Sequence, residues 1–265
     1  MTPGRIIDVS ADEHPGDAPI NWHEVAGAGV TAAFVKATQG TDYINPFFQS
    51  DMIGAQQAGL VVCAYHFADM GNAVAEANFF VQQASRFARM LDFETHTDVA
   101  WARTFLHTLG RPASELITYG SASTLKDFYA QLPSLAFPAA YSQFYPGWGA
   151  CWQFTDAARI PGIVTECDED QWHGSQADYD TLFSGPIIPP PEPTPAPTLK
   201  GATEMDSVVA PNGDIVGHYR TPDNHLLEVT RKAGTQGEPA NPPGQPENLS
   251  VIDITAQYPT VLVVS

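Results

Sequence analysis

Apolar and polar residues change their spacing repeatedly along the N-terminal half of the chain. Apolar runs typical of β-strands lie at 5–10, 29–38, 60–67, 88–94 and 116–120. Between and after them, helical spacing occurs at 20–26, 45–58, 73–87, 99–109 and 123–132. Asn21 is placed to cap the first of these helices and Gly59 to end the second. This alternation predicts parallel strands connected by helices.

The helical spacers shorten after residue 132. Short strands are predicted at 138–141, 151–154 and 166–168, joined by loops rich in Gly and Pro. Five strand and helix alternations followed by three closer strands give eight strands within residues 1–185. That count favours an α/β fold, a modified TIM-like barrel of five β/α units plus three strands, over an open sheet.

Proline dominates residues 186–198, which predicts an extended, stiff linker. The linker divides the chain into a barrel at 1–185 and a small β domain at 199–265. Within the small domain, turn residues at 211–214 and 222–225 alternate with strands at 214–220 and 226–231. The chain ends in an apolar strand at 258–265, which we expect to pair within the domain or with a second copy of the chain.

Composition narrows the classes of partner. The net charge is −18, with a pI near 4.5, which argues against nucleic acid and anionic membrane surfaces as partners. No apolar run reaches the length of about 18 residues that a membrane span needs. Neutral, sugar-like ligands remain compatible with this charge.

The three cysteines, Cys63, Cys151 and Cys167, match no zinc-binding spacing. The N-terminal segment reaches the carboxylate of Asp8 too soon for a signal peptide. A disulfide between Cys151 and Cys167 is therefore not favoured.

Two carboxylates one residue apart, Asp92 and Glu94, end the fourth predicted strand. Side chains of a strand alternate faces, so both acids point the same way, about 6 to 7 Å apart. Like charges this close raise the proton affinity of one partner, as acid and base chemistry requires, although a solvated acidic turn has the same pattern. In α/β barrels chemistry lies at the C-terminal ends of the strands. The polar and aromatic residues at or near such ends are Asp8, Lys36, Tyr65, His66, Asp92, Glu94, Tyr119, Tyr141, Gln153 and Asp168.

An ordered set of motifs accompanies these residues. It comprises Asp8-Val9-Ser10, Ile20-Asn21-Trp22, Phe34-Val35-Lys36-Ala37-Thr38-Gln39-Gly40, Gly54-Ala55, Ala58-Gly59-Leu60, Ala64-Tyr65-His66-Phe67, Asp92-Phe93-Glu94, Tyr119, Trp152-Gln153-Phe154, Pro161-Gly162 and Asp168. With these motifs, residues 5–175 resemble glycoside hydrolase family 25, the lysozymes found as phage endolysins and bacterial autolysins.

The resemblance implies hydrolysis of the β-1,4 bond between N-acetylmuramic acid and N-acetylglucosamine in peptidoglycan. Its key acids match Asp8, Asp92, Glu94 and Asp168. Glu94 resembles the general acid, for which neighbouring carboxylates and partial burial would raise the pKa. Asp92 resembles the group that stabilises the substrate's N-acetyl group, although a nucleophile or a base would also place a carboxylate there. Asp8 and Asp168 would complete the acidic ring.

Substrate contacts implied with the resemblance fall on Lys36, Tyr65, Tyr119, Tyr141, Trp152 and Gln153. Plainer roles compete: Asp8 as the cap of a turn, Lys36 as an ion-pair partner of Asp92 or Asp8, and His66 as a structural histidine, which we favour. No metal or other cofactor is expected. Gln39 stands where the family usually has Glu, and Asp170 stands where it more often has an amide, which leaves Asp170 outside the catalytic set.

The resulting hypothesis is a phage endolysin type of muramidase acting on peptidoglycan glycan strands. It would be made in the host cytoplasm without a signal peptide and reach the wall through a holin, through lysis or on the phage particle. The small β domain would bind the cell wall or form homo-oligomers. The alternative is a barrel that only binds glycan or a receptor.

Overall fold

A computed structural model describes residues 4–94, 98–142 and 144–185, together with strands at 203–209, 215–220, 226–231 and 249–253. The chain divides into two compact units, Met1–Pro190 and Pro191–Ser265, and each is described by itself. Several predicted segments lie outside the described residues. They are the linker at 186–198, the turns at 211–214 and 222–225, and the terminal strand at 258–265.

The first unit is built on a sheet of nine strands, and pairing of the first two strands closes eight of them into a barrel. The predicted α/β barrel is therefore confirmed. The strands are β1 Arg5–Val9, β2 Val30–Gln39, β3 Tyr43–Ile44, β4 Val61–Phe67, β5 Ala88–Asp92, β6 Ile117–Ser121, β7 Leu135–Ala139, β8 Cys151–Ala158 and β9 Cys167–Trp172.

Strand direction distinguishes the last strand of the barrel from the other seven. The strands from β1 through β8, apart from the short β3, run parallel to one another. The last strand, β9, is antiparallel to both β8 and β1. In its register Asp168 faces Asp8 and Asp170 faces Ile6, so β9 brings carboxylates beside the first strand.

The helices are α1 Trp22–Gly27, α2 Phe48–Gln57, α3 Ala73–Ala84, α4 Val99–Thr108, α5 Ala122–Leu125 and α6 Gln176–Leu182. The first four pack on the outside of the strands, whereas Tyr179 and Leu182 of α6 belong to the apolar cluster inside the barrel. Side chains of Asn21, Asn72, Asp98 and Ser175 accept hydrogen bonds from backbone N–H groups in the first turns of their helices. The predicted cap at Asn21 is thus confirmed, and Gly59 follows α2 with φ of 91°.

Several predicted boundaries were wrong. The helix expected at 123–132 is only α5 and a separate 3₁₀ turn, Tyr129–Gln131. The strand expected at 138–141 is β7, which begins earlier because Leu135 pairs with Ile117. Strands β8 and β9 extend well beyond their predicted ends because they pair with each other as a hairpin. The patterns also missed β3 and α6.

Two apolar clusters stabilise the barrel. One lies inside it and includes Ile6, Phe34, Met90, Ile117 and Phe137. The other lies between strands and helices and consists of the alternate strand residues together with the buried faces of α1 to α4. This division follows the period-two alternation of strand side chains, which assigns each strand residue to one layer.

The second unit contains a sheet of four antiparallel strands in sequence order: β10 Thr203–Val209, β11 Ile215–Arg220, β12 Leu226–Arg231 and β13 Leu249–Asp253. The strands predicted at 214–220 and 226–231 are confirmed as β11 and β12.

Among the described residues, no helix is both long and apolar enough to span a membrane. The three cysteines are free thiols, all buried.

Candidate active site

A cavity of about 180 Å³ opens where the parallel strands end. Its lining is mostly polar and comes from β1, β2, β4, β5, β6 and β9 and from the turn after β1. The lining residues are Asp8, Ser10, Asp12, Glu13, Lys36, Tyr65, Phe67, Met90, Asp92, Glu94, Tyr119 and Asp168. The four acids predicted from the sequence therefore meet in one cavity.

The backbone after β5 sets the directions of Asp92 and Glu94. Phe93 is buried outside the barrel, with its ring 6.0 Å from Trp101 and 5.9 Å from Phe128 between ring centroids. Side chains alternate along an extended backbone, so anchoring Phe93 outward turns both of its neighbours inward. The strand was predicted to reach Glu94, but it ends at Asp92. Both acids nevertheless line the cavity.

Burial separates the two acids of this pair. Asp92 is 7% exposed, and burial together with the charge and hydrogen bonding of Glu94 raises the pKa of Asp92 well above its usual value. Its Oδ1 atom is buried without a hydrogen-bond partner. Glu94 is exposed, so the partial burial expected for it was wrong. The strong rise in pKa falls on Asp92.

Gln153 holds the carboxyl group of Asp8 in place. The amide Nε2 of Gln153 donates a 2.9 Å hydrogen bond to Asp8 Oδ2, and the amide oxygen accepts from the hydroxyls of Tyr119, at 2.7 Å, and Tyr141, at 3.0 Å. Burial and the charges of Asp168 and Asp170 raise the pKa of Asp8 well above its usual value. Gln153 thus acts on the cavity through Asp8 and the two tyrosines.

Asp168 faces Asp8 from β9. Burial, with the charges of Asp156 and Glu94 among others, raises the pKa of Asp168 to about 6. Two carboxyl groups opposed in this way favour sharing a proton over both being charged.

Lys36 supplies the basic side chain of the cavity lining. Its Nζ donates a 2.9 Å hydrogen bond to the side-chain oxygen of Gln39 and lies 4.7 Å from the ring centre of Phe67. Burial lowers the pKa of Lys36, while the charge of Asp92 opposes that shift. Gln39, the residue that departs from the family pattern, therefore orients the cation beside Asp92.

Two of the four aromatic residues predicted to contact substrate do not line the cavity. Tyr65 is buried and lines the cavity, whereas Tyr141 is 57% exposed and is not among the lining residues. Trp152 does not line the cavity. Its indole N–H donates to the carbonyl of Ala140, and it points away from the cavity because it alternates with Gln153 along β8.

His66 is buried against α3 and α4 and takes no part in the lining. Its Nδ1 contacts Thr38 Oγ1 at 2.8 Å and its Nε2 contacts Glu76 Oε2 at 3.1 Å. Burial lowers the pKa of His66. The structural role favoured for this histidine agrees with these contacts.

Sequence reasoning missed the turn that follows β1. Ser10, Asp12 and Glu13 all line the cavity. Ser10 and Glu13 form a capping box around the 3₁₀ turn Ala11–Glu13. The spacing Ser-x-x-Glu directly after the Asp8 strand was the available signal.

Within the described part of the chain, no group of three or more His, Cys, Asp or Glu side chains is arranged to hold a metal ion.

The model of one known family, "Glycosyl hydrolases family 25", matches residues 7–163, which is more than half of the chain. The chain belongs to glycosyl hydrolase family 25. The matched range of this family 25 protein contains Asp8, Asp92 and Glu94, whereas Asp168 follows its end.

Lysozymes are among the known proteins similar to this family 25 chain. Lysozyme M1 of Streptomyces globisporus is 26% identical over 193 residues, which are 60% of this chain and 65% of that lysozyme. The chain therefore spans less than two thirds of that relative. The muramidase structure from Trichobolus zukalii is 25% identical, with a TM-score of 0.55 over 68% of this chain and 98% of that one.

A bacteriophage protein shares the fold. The catalytic domain of an endolysin from a Listeria monocytogenes phage has a TM-score of 0.59 over 69% of this chain and 98% of that domain. At 19% identity, this similarity concerns the fold alone.

Proposed function

We propose that this family 25 protein is a peptidoglycan hydrolase that cleaves the β-1,4 bond between N-acetylmuramic acid and N-acetylglucosamine. The observation that carries the proposal is the Asp92 and Glu94 pair in a polar cavity at the C-terminal ends of the barrel strands. Membership of family 25 and similarity to lysozyme M1 support the same substrate class.

In this proposal Glu94 is the general acid. It is the accessible member of the pair, so its carboxyl can reach a glycosidic oxygen bound in the cavity. Beside it, Asp92 holds a proton more strongly than an isolated carboxyl does, because burial and the Glu94 charge raise the pKa of Asp92. Donation of the proton to the leaving oxygen leaves the pair with the negative charge that stabilises a cationic sugar.

Asp92 would act on the substrate's acetamide group. Asp92 lines the cavity beside Glu94, so its carboxyl group is placed to bind the acetamide N–H. An acetamide oriented in this way can attack the anomeric carbon itself, which would make the mechanism substrate-assisted.

The remaining residues would bind the sugars. Asp8 and Asp168 would accept hydrogen bonds from hydroxyl groups, while Tyr65, Tyr119 and Tyr141 offer ring faces or hydroxyls. Lys36 would balance the charge that remains after proton donation. Gln153 would contribute by holding Asp8 and two of the tyrosines in place.

The biological setting we propose is that of an endolysin, made in a bacterial host and delivered to the wall by a holin, by lysis or by the phage particle. The same fold occurs in the catalytic domain of a Listeria phage endolysin. The small β unit would then hold the enzyme at the wall or join copies of the chain.

The test is clearing of purified peptidoglycan by the full chain and by Glu94→Gln. We expect wild type to lower the turbidity and Glu94→Gln to lose at least about a hundredfold in rate, the size of a general-acid contribution. Analysis of the products should show new reducing ends on muramic acid. Reducing ends on glucosamine would indicate a glucosaminidase, and free peptide stems would indicate an amidase.

The matched control is Glu24→Gln, which neutralises an exposed glutamate on α1 outside the cavity lining. It should clear the wall at the wild-type rate. Equal clearing by wild type and Glu94→Gln would exclude Glu94 as the acid. No clearing by wild type would instead favour a barrel that only binds glycan.

A further inference from the structure

Glu13 is fixed in one orientation by the turn after β1. Its Oε2 atom accepts a 2.7 Å hydrogen bond from the backbone N–H of Ser10 and lies 3.3 Å from the Ser10 hydroxyl. Ser10 Oγ in turn accepts from the backbone N–H of Asp12. This capping box connects β1 to the turn and occupies one side of the Glu13 carboxyl group.

The other side of the carboxyl group is unused. Glu13 is only 9% exposed, yet it lines the cavity beside Asp8 and Asp168. In the described part of the chain, Oε1 receives no hydrogen bond, and it is not among the solvent-shielded atoms without a partner. Oε1 is therefore the oxygen of this cavity-lining carboxyl group that is left for a further hydrogen bond.

Cap formation alone does not require this placement. The capping box consists of hydrogen bonds between Ser10 and Glu13 and needs no burial of the glutamate. Here burial, with the charges of Asp168 and Asp12, raises the pKa of Glu13 to about 6. An ionisable group held at such a cost inside a cleft is typical of a functional position.

We propose that Glu13 is a substrate-binding residue, whose Oε1 accepts a hydrogen bond from a hydroxyl or amide N–H of a sugar bound on the Asp8 and Asp168 side of the cavity. The inference rests on the proposed function, because it assigns a further contact to the same substrate. In this arrangement the bound sugar would lie between the turn after β1 and the Asp92 and Glu94 pair.

The charge state of Glu13 gives this contact a pH dependence. The titratable groups around it are Asp8 on β1, Asp12 on its own turn, Lys36 on β2, Tyr65 on β4 and, on β9, Asp168 and Cys167. A carboxylate is a stronger acceptor than a carboxylic acid. Binding should therefore weaken as the pH falls through about 6, the pKa of Glu13.

The decisive variant is Glu13→Gln in the full chain. A glutamine at this position preserves the capping box, since its amide oxygen takes the hydrogen bond from Ser10 N–H. Its NH₂ group must then face the cavity, where it donates and cannot accept. The variant thus reverses the polarity of the proposed contact without removing the cap.

We expect Glu13→Gln to raise KM for soluble glycan strands about tenfold, with kcat within about twofold of wild type. The rise of KM expected for wild type below pH 6 should be smaller in the variant, in which only Asp168 still titrates near pH 6. Thermal unfolding should agree with wild type to within about 2 °C, because the cap remains. Ser10→Ala, which removes the hydroxyl cap but leaves the Glu13 charge, should lower the unfolding temperature more than Glu13→Gln does.

If wild type is active and Glu13→Gln has the wild-type KM and pH profile, the inference is overturned and Glu13 is a capping residue only. A Glu13→Gln protein that loses both unfolding temperature and kcat would also overturn the inference. Inactive wild type would count against the proposed function, and titration of wild type and Glu13→Gln with an N-acetylglucosamine oligomer then decides. Weaker binding by the variant supports the inference, and equal binding overturns it.

Discussion

The side-chain amide of Gln153 donates a 2.9 Å hydrogen bond to Asp8 while its oxygen accepts from both Tyr119 and Tyr141. One buried amide from β8 therefore fixes a carboxyl on β1 and phenols from β6 and the loop after β7. Gln153 is 1% exposed, so its amide group is shielded from bulk water, whereas Tyr141 is exposed. The cavity wall is organised by a residue that does not itself line it.

Gln153→Glu should therefore disturb the cavity without changing side-chain size. The substitution removes the N–H donor to Asp8 and places a second carboxyl against it. Loss of a buried hydrogen bond with one partner left unsatisfied costs about 1–3 kcal/mol. We expect the unfolding temperature to fall by several degrees and kcat/KM to fall at least about tenfold, measured by calorimetry and with soluble glycan.

The control for that prediction is Gln57→Glu, which makes the same chemical change at an exposed position in the last turn of α2. It should leave kcat/KM unchanged. If Gln153→Glu behaved like this control, the amide would have no role in holding Asp8.

Gly120 allows the backbone after β5 to pass close to β6. A Cβ atom at this position would lie 2.8 Å from the carbonyl oxygen of Phe93, closer than such atoms approach. Gly120→Ala should displace Phe93 and with it the flanking Asp92 and Glu94. We expect a loss of about 1–3 kcal/mol in the free energy of unfolding, as in overpacked cores, and a larger loss in kcat than in binding.

Gly27→Ala is the matched substitution, since a Cβ atom at Gly27 in α1 meets nothing within 4 Å. Alanine also favours helix, so this variant should be at least as stable as wild type. Denaturant unfolding of both variants measures the contrast. A Gly120→Ala protein with wild-type stability and kcat would show that Phe93 moves at no cost.

Asp170 is a buried carboxyl group whose two oxygens have no hydrogen-bond partner among the described residues. Burial and the charges of Asp168 and Glu169 raise its pKa well above the usual value. The folded state therefore binds this proton more tightly than the unfolded state. Its contribution to stability is present at low pH and is lost as the pH rises from the unfolded pKa of about 4 through the folded pKa.

Asp170→Asn removes this titration. At neutral pH we expect the variant to be more stable than wild type, by about 2–4 °C for each kcal/mol that ionisation of Asp170 costs. Below pH 4 the difference should disappear. Unfolding temperatures from pH 3 to 8 provide the measurement, and a constant difference over that range would contradict the prediction.

The neighbouring substitution Glu169→Gln should have the opposite sign. Glu169 accepts two hydrogen bonds from the Arg5 side chain, at 2.7 and 2.8 Å. Neutralising it at pH 7 removes a charge-assisted pair instead of a buried charge, so stability should fall. The two variants together separate burial from simple loss of negative charge on β9.

The sequence by itself determined the barrel, its five β/α units and the meeting of Asp8, Asp92, Glu94 and Asp168 at one edge. Local patterns carry this information, because apolar spacing sets the type of each element and strand ends converge in a parallel barrel. The family resemblance drawn from the ordered motifs has the same origin, and the match over residues 7–163 confirms it.

Tertiary structure alone decided which face each cavity residue takes and how deeply it is buried. Trp152 points away from the cavity because β8 pairs with β9 in a register that turns Gln153 inward. Asp92 is the buried acid and Glu94 the exposed one because strand pairing ends between them. Each outcome depends on contacts between distant segments, which no local pattern of residues contains.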